Sequence, residues 1–178
     1  PLDFKNFKLH FDEIINKLEK KEEKCSFFIT KCNKCGRKAR IINIHWDKEN
    51  IMQIRYNCSC SKKNQSKKPE DSDIKLSKDS EKVVIPWWYP QDKFPLMKPF
   101  DPARKYVGEY YYSLWTKRGL YLLSYLYNEI EKLSDDRIRE AMKYAFISML
   151  HLTTKMPSAR REKSKRPDSG SWGRPAYI

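Results

Sequence analysis

Apolar residues recur at three- and four-residue spacing at the start of the chain. Phe4, Phe7, Phe11, Ile14, Ile15 and Leu18 fall on one face, with Lys and Glu opposite. This period predicts an amphipathic helix over residues 3–24, with Asp3 placed to cap it. Such a stripe serves packing. Ser26 to Thr30 then reads as a short strand. Arg40–Trp46 and Ile51–Tyr56 are two β-branched, aromatic-rich runs separated by the polar stretch 47–50, the pattern of a β-hairpin. From Ser61 to Lys82 apolar periodicity is lost among lysines, serines and acids, which predicts a mobile linker, its lysines solvated.

Prolines at 86, 90, 95 and 99 keep the next segment extended around Trp87, Trp88 and Tyr89. Adjacent residues of an extended chain face opposite ways, so at least one of the two tryptophans is expected to be buried. Thr116 is a plausible N-cap for a helix carrying Leu120, Leu123, Leu126, Ile130 and Leu133 on one face. Ser134 is placed to cap a second helix, with Ile138, Met142, Ala145, Met149 and Leu152 as its face and Pro157 as its stop. His151 near its end reads as structural. The expected architecture is α+β: a zinc-ribbon-like hairpin module joined to an N-terminal helix and a C-terminal antiparallel helical hairpin. Its parts are a helix over 1–24, a ribbon over 25–62, a lysine-rich linker over 63–82, and over 83–178 the aromatic segment, the helical hairpin and a basic tail.

The ribbon carries the candidate chemistry. Cys32-Asn33-Lys34-Cys35-Gly36 is a knuckle that can turn two sulfurs toward one metal ion, the glycine permitting the tight turn. The hairpin returns the chain, so Cys58 and Cys60 can arrive beside it. The second pair is Cys-x-Cys, which leaves less room for two ligands, and Cys25 or His45 could substitute. The ligand set expected is Cys32, Cys35, Cys58 and Cys60 around a structural zinc. Four sulfurs leave no open position for water, and no Glu–His pair stands at metalloprotease spacing. No secretory signal is visible, which disfavours disulfides and makes the cytoplasm the expected location.

Charge adds a partner. The chain carries 37 basic and 23 acidic residues for a net charge of +14. The excess is concentrated in residues 25–80 and 134–178, as a polyanion partner would require. No run is apolar and long enough to span a bilayer, so no membrane role is expected. Lys117 and Arg118 open one predicted helix. Lys155, Arg160, Arg161, Lys163, Lys165 and Arg166 follow the other, so the two groups should meet at one end of the hairpin as a phosphate-contacting patch. Trp87, Trp88 and Tyr89 are candidates for stacking on bases. None of the five glycines sits in a strand-to-helix phosphate loop. No catalytic constellation is apparent either, so the chain alone is not expected to be an enzyme.

Three segments bring in a resemblance. Leu114-Trp115-Thr116-Lys117-Arg118-Gly119-Leu120-Tyr121-Leu122-Leu123-Ser124 resembles the F-T-x-R-N-L-x-A-L-S segment of a family of S-adenosylmethionine-dependent DNA methylases. Residues 145–156 and Gly170 to Tyr177 are similar to later stretches of it, the cysteine knuckle to its insertion, and Pro1-Leu2 to the end of its D-I-N-P-L run. Trp115 stands where that pattern has Phe, and Gly119 where it has Asn. The resemblance implies a piece of a longer protein, lying between an upstream cofactor loop and a downstream Asp-Pro-Pro-Tyr motif. It implies a non-catalytic, target-recognition-like segment whose partners are DNA and the remaining methyltransferase domain, with S-adenosylmethionine bound only by the parent protein. The alternatives are a stand-alone zinc-ribbon module for nucleic acid, and a protein–protein adaptor using exposed aromatics.

Overall fold

The computed structural model describes residues 3–47, 50–98, 105 and 107–154. The chain divides into two compact units, one of residues 17–83 and one of residues 1–16 with 84–178. The expected α+β class is what forms. Helix α1 (Phe4–Lys24) begins where Asp3 predicted: its carboxylate accepts from the backbone N–H of Lys5 at 3.0 Å and Asn6 at 3.3 Å. Phe7 and Phe11, one turn apart, stack with centroids 6.3 Å apart.

In the unit of residues 17–83, a single 3-10 turn (Ser26–Phe28) leads into a four-stranded antiparallel sheet. The strands are β1 (Ile29–Lys31), β2 (Lys38–Asp47), β3 (Asn50–Asn57) and β4 (Gln65–Lys67), paired in sequence order. The short strand expected from Ser26 thus starts only at Ile29. The hairpin of β2 and β3 is the one the β-branched runs predicted. Its register slips between Ile41 and Asn43, so Ile42 is the extra residue of a bulge and is half exposed. The slip lets Ile41 pair with Tyr56 and Ile44 with Ile54 although the two isoleucines are three residues apart. Ile41, Ile54 and Tyr56 are buried with Ala39, Cys32 and Cys58.

The linker expected over 63–82 is not a linker. It forms β4 and helix α2 (Asp71–Ser80), and the reason is polar. The Lys67 side chain is fully buried, and its ammonium lies 2.8 Å from Asp73 and 3.2 Å from Glu70. Asp73 also accepts from the Thr30 hydroxyl at 2.5 Å and from the Glu70 backbone N–H at 2.9 Å. Glu70 and Asp73 cap α2 reciprocally, as the pair of a capping box does. An ion pair and a cap fold this stretch onto β1 where hydrophobic periodicity is missing.

In the other unit, Trp87 sits against Tyr121 and Tyr125 with ring centroids 5.1 and 5.0 Å away. Trp88 touches Tyr127 yet stays 65% exposed. Trp87 is thus half-buried between rings, short of the burial expected of one tryptophan, and its neighbour is presented outward. Helices α3 (Lys117–Glu131) and α4 (Asp136–Leu150) pack as the expected hairpin. Tyr127 meets Phe146, and Glu131 meets Lys143, so partners ascend on one helix as they descend on the other. Thr116 caps α3 by accepting from the Gly119 N–H at 3.3 Å. The cap of α4 is Asp135 rather than Ser134, its carboxylate accepting from Arg137 and Ile138. The buried face of α4 is Ile138, Met142 and Phe146, with Ala145 exposed. Leu152 leaves that line because the helix ends at Leu150 in a 3-10 turn, and Pro157 lies outside the described residues.

Candidate metal centre

The register of the sheet builds the site. Arg40 pairs with Asn57, so the start of β2 lies beside the end of β3. The knuckle that precedes β2 therefore meets Cys58 and Cys60, which follow β3. Within the knuckle, the Cys32 N–H donates to the Arg37 carbonyl and the Gly36 N–H to the Cys32 carbonyl, each at 2.9 Å. Gly36 closes the turn at φ 70°, a conformation that strains any residue with a Cβ. On the other side the Ser61 N–H donates to the Cys58 carbonyl at 3.0 Å, folding the single-residue spacer back on itself.

All four expected sulfurs, of Cys32, Cys35, Cys58 and Cys60, lie within 4.8 Å of one another. Cys32 and Cys60 are 3.6 Å apart, as are Cys35 and Cys58. A tetrahedral ion with sulfurs at about 2.3 Å has S···S edges of about 3.8 Å. The cysteines are free thiols. Four thiols at this spacing can hold a metal ion such as zinc. The Cys-x-Cys spacer is no obstacle, because its two sulfurs pair across the cluster with the knuckle. Neither Cys25 nor His45 joins the cluster. Cys25 lies outside the cluster, in the turn after α1. His45 pairs with Gln53, five residues up β2 from Arg40, about 15 Å away by the rise of a strand.

Charge in the cluster is graded. Burial pushes the Cys32 thiol up, but the N–H groups of Cys35 and Lys34, with Cys60 and Tyr56, hold it down at about 6. Cys35 is lowered by the backbone and the guanidinium of Arg37. The Gln65 amide draws Cys60 down, yet the neighbouring sulfurs and burial leave it at about 11. Negative charge on one sulfur opposes the ionisation of the next, and a divalent cation at the centre removes that opposition. The donor set fits a soft or borderline metal, and with four protein sulfurs it is a closed one.

Sequence reading missed the groups around the sulfurs. Gln65 on β4 donates to Cys60 at 3.6 Å, and the Asn33 N–H donates to the Tyr56 hydroxyl at 3.2 Å. Such partners orient metal ligands. The Glu70–x–x–Asp73 cap signature was the one clue in the sequence that residues 63–82 are folded.

Of the residues expected to meet nucleic acid, Lys117 is half-buried and Arg118 is 9% exposed within α3. That burial sets Arg118 apart from the surface patch expected of it. Lys155, Arg160, Arg161, Lys163, Lys165 and Arg166 lie outside the described residues. The two ends of the hairpin do meet as expected: the Trp115 indole donates to the Thr153 hydroxyl at 3.0 Å. Among the described residues no helix is long and apolar enough to cross a membrane. No known protein family, curated protein or solved structure matches this chain.

Proposed function

We propose that the chain is a non-catalytic, DNA-binding segment of an S-adenosylmethionine-dependent DNA methyltransferase, with a structural zinc ion clamping its ribbon. The carrying observation is the tetrad of sulfurs, all within 4.8 Å, at the junction of knuckle and hairpin. A closed set of four thiolates suits a metal that fixes backbone and performs no chemistry. The ion would be held by Cys32, Cys35, Cys58 and Cys60, and it would supply folding free energy to the ribbon.

Two further features support the reading. Lys31, Lys34, Arg37 and Lys38 are all exposed on or beside the knuckle, a basic surface of the kind that follows a phosphate backbone. Trp115 and Thr153 belong to the two segments that carry the methylase resemblance, and their hydrogen bond joins those segments into one packed unit. The transfer chemistry belongs to the rest of the parent protein, which brings the cofactor loop and the acceptors for the target amine.

The test is fluorescence anisotropy of a labelled duplex with the zinc-loaded chain, repeated over a range of salt. Binding that weakens linearly in log–log form with salt is expected. Replacing Arg160, Arg161, Lys163, Lys165 and Arg166 by Ala should flatten that slope. No duplex binding at low salt would reject the DNA reading. It would favour the adaptor, for which Tyr144 and Ile147 on α4, 77% and 64% exposed, offer an apolar surface.

A further inference from the structure

Beside the metal centre, the unit of residues 17–83 holds a groove of about 430 Å³ between the knuckle and the first turn of α2. Its lining includes Lys31, Lys38, Ser26, Ser72 and Asp73. We propose that this groove is a phosphodiester-binding surface for duplex DNA, with Lys31 and Lys38 as its paired phosphate contacts. The proposal rests on the DNA-binding reading and narrows its basic knuckle surface to one groove with two named contacts.

Register is the first argument. Lys31 on β1 and Lys38 on β2 are direct cross-strand partners. Residues directly opposite in an antiparallel pair point to the same face, with Cβ atoms about 5 Å apart, and like charges there are destabilising. A sheet built only for stability would put an acid at one of these positions. Among the described residues neither lysine makes an ion pair, and both are exposed. An anion between the two ammonium groups converts the repulsion into attraction.

Asp73 is the one acid in the lining. Asp73 would repel a phosphate if its charge were free to act, but both of its oxygens are engaged. One accepts from the Thr30 hydroxyl; the other accepts from the Glu70 N–H and lies 2.8 Å from the Lys67 ammonium. With Lys67 balancing Asp73, the groove keeps the charge of its two lysines. Glu70 is itself drawn to Lys67, and Asp71, exposed on the same turn, does not line the groove. Ser26 and Ser72 add hydroxyl groups, a common supplement to Lys in backbone contacts. The buried ion pair thus has a consequence outside the core: it hides the negative charge from the groove while fixing α2 as its wall.

The test compares two double variants of the full zinc-loaded chain in the same salt series on the labelled duplex. Lys31→Gln with Lys38→Gln is expected to reduce the log–log salt slope by about 0.9 for each phosphate left without its lysine, and affinity roughly ten- to fiftyfold near 0.1 M salt. Lys63→Gln with Lys68→Gln removes equal charge from exposed positions that do not line the groove, and should cost no more than about twofold, the effect of screened charge at a distance. Equal losses in the two variants would overturn the groove, since the effect would then be net charge alone. Parent-like binding by the first variant would overturn the groove and leave the DNA reading intact. Failure of the parent chain to bind would overturn both. Without DNA, Lys38→Gln should raise the unfolding temperature by relieving the lysine pair. A fall in zinc content or in unfolding temperature would show instead that the lysines serve the ribbon itself, against the proposal.

Discussion

Replacing Asp73 by Asn should release the segment that the sequence disguised as a linker. The carboxylate is 4% exposed, and it faces an ammonium that is fully buried. Asparagine keeps an acceptor for Thr30 or for the Glu70 N–H but removes the counter-charge of Lys67. Breaking one side of a buried ion pair costs about 3–5 kcal/mol, because the remaining charge is stranded. Glu70 lies 3.2 Å from the same ammonium and is half exposed, so the cost should fall at the low end, about 3 kcal/mol. Hydrogen–deuterium exchange read by mass spectrometry on residues 65–80 measures this locally, without assuming that the two units unfold together. At about 1.4 kcal/mol per decade, protection there should drop on the order of a hundredfold. Adding Lys67→Met should restore most of it, since no buried charge then remains. If exchange at 65–80 is already unprotected in the parent chain, or changes less than about threefold in Asp73→Asn, a scale set by the energy of surface ion pairs, the clamp does not exist.

Three further outcomes follow from named contacts. The stability lost in Asp73→Asn should depend on pH. Burial alone would push this carboxyl up, yet Lys67, Thr30 and the Glu70 N–H hold it below its ordinary 3.8. Its contribution is therefore complete above about pH 4 and lost as pH falls through the lower folded value. Melting curves of parent and variant should differ near neutrality and converge in strong acid, metal release affecting both alike. Gly36→Ala should cost about 1–2 kcal/mol from φ 70° alone, because an added Cβ meets only the Lys31 side chain, at 3.8 Å. Urea unfolding of the zinc-loaded chain would read it. Asp135→Ala should cost about 1 kcal/mol for the two N–H groups it leaves without an acceptor, and Ser134→Ala close to nothing. The reverse order in thermal unfolding would return the cap to Ser134.

Legibility in the sequence followed the kind of force at work. The first helix, the ribbon hairpin and the helical hairpin were readable because hydrophobic burial leaves a periodic trace. The cluster of four cysteines was readable because a metal site imposes spacing. Residues 63–82 were not, since a buried lysine reads as a solvated one until Asp73 and Thr30 are known to surround it. The bulge at Ile42 hid in a run whose alternation it breaks. The α4 face slipped from Ala145 to Phe146 because periodicity leaves phase uncertain by a residue near a helix end. The unlike neighbours Trp87 and Trp88 differ as an extended chain requires, although which of them turns inward depends on the tyrosines of α3.

The metal content and ligand set of the chain test the account most directly. Protein prepared without chelator should carry about one zinc per chain, with X-ray absorption giving four sulfur neighbours at about 2.3 Å. Cys32→Ser should release the ion and loosen residues 26–60 while leaving the helical hairpin of α3 and α4 folded. Absence of zinc from the parent protein, or a nitrogen or oxygen in place of one of the four sulfurs, would contradict the centre on which this reading stands.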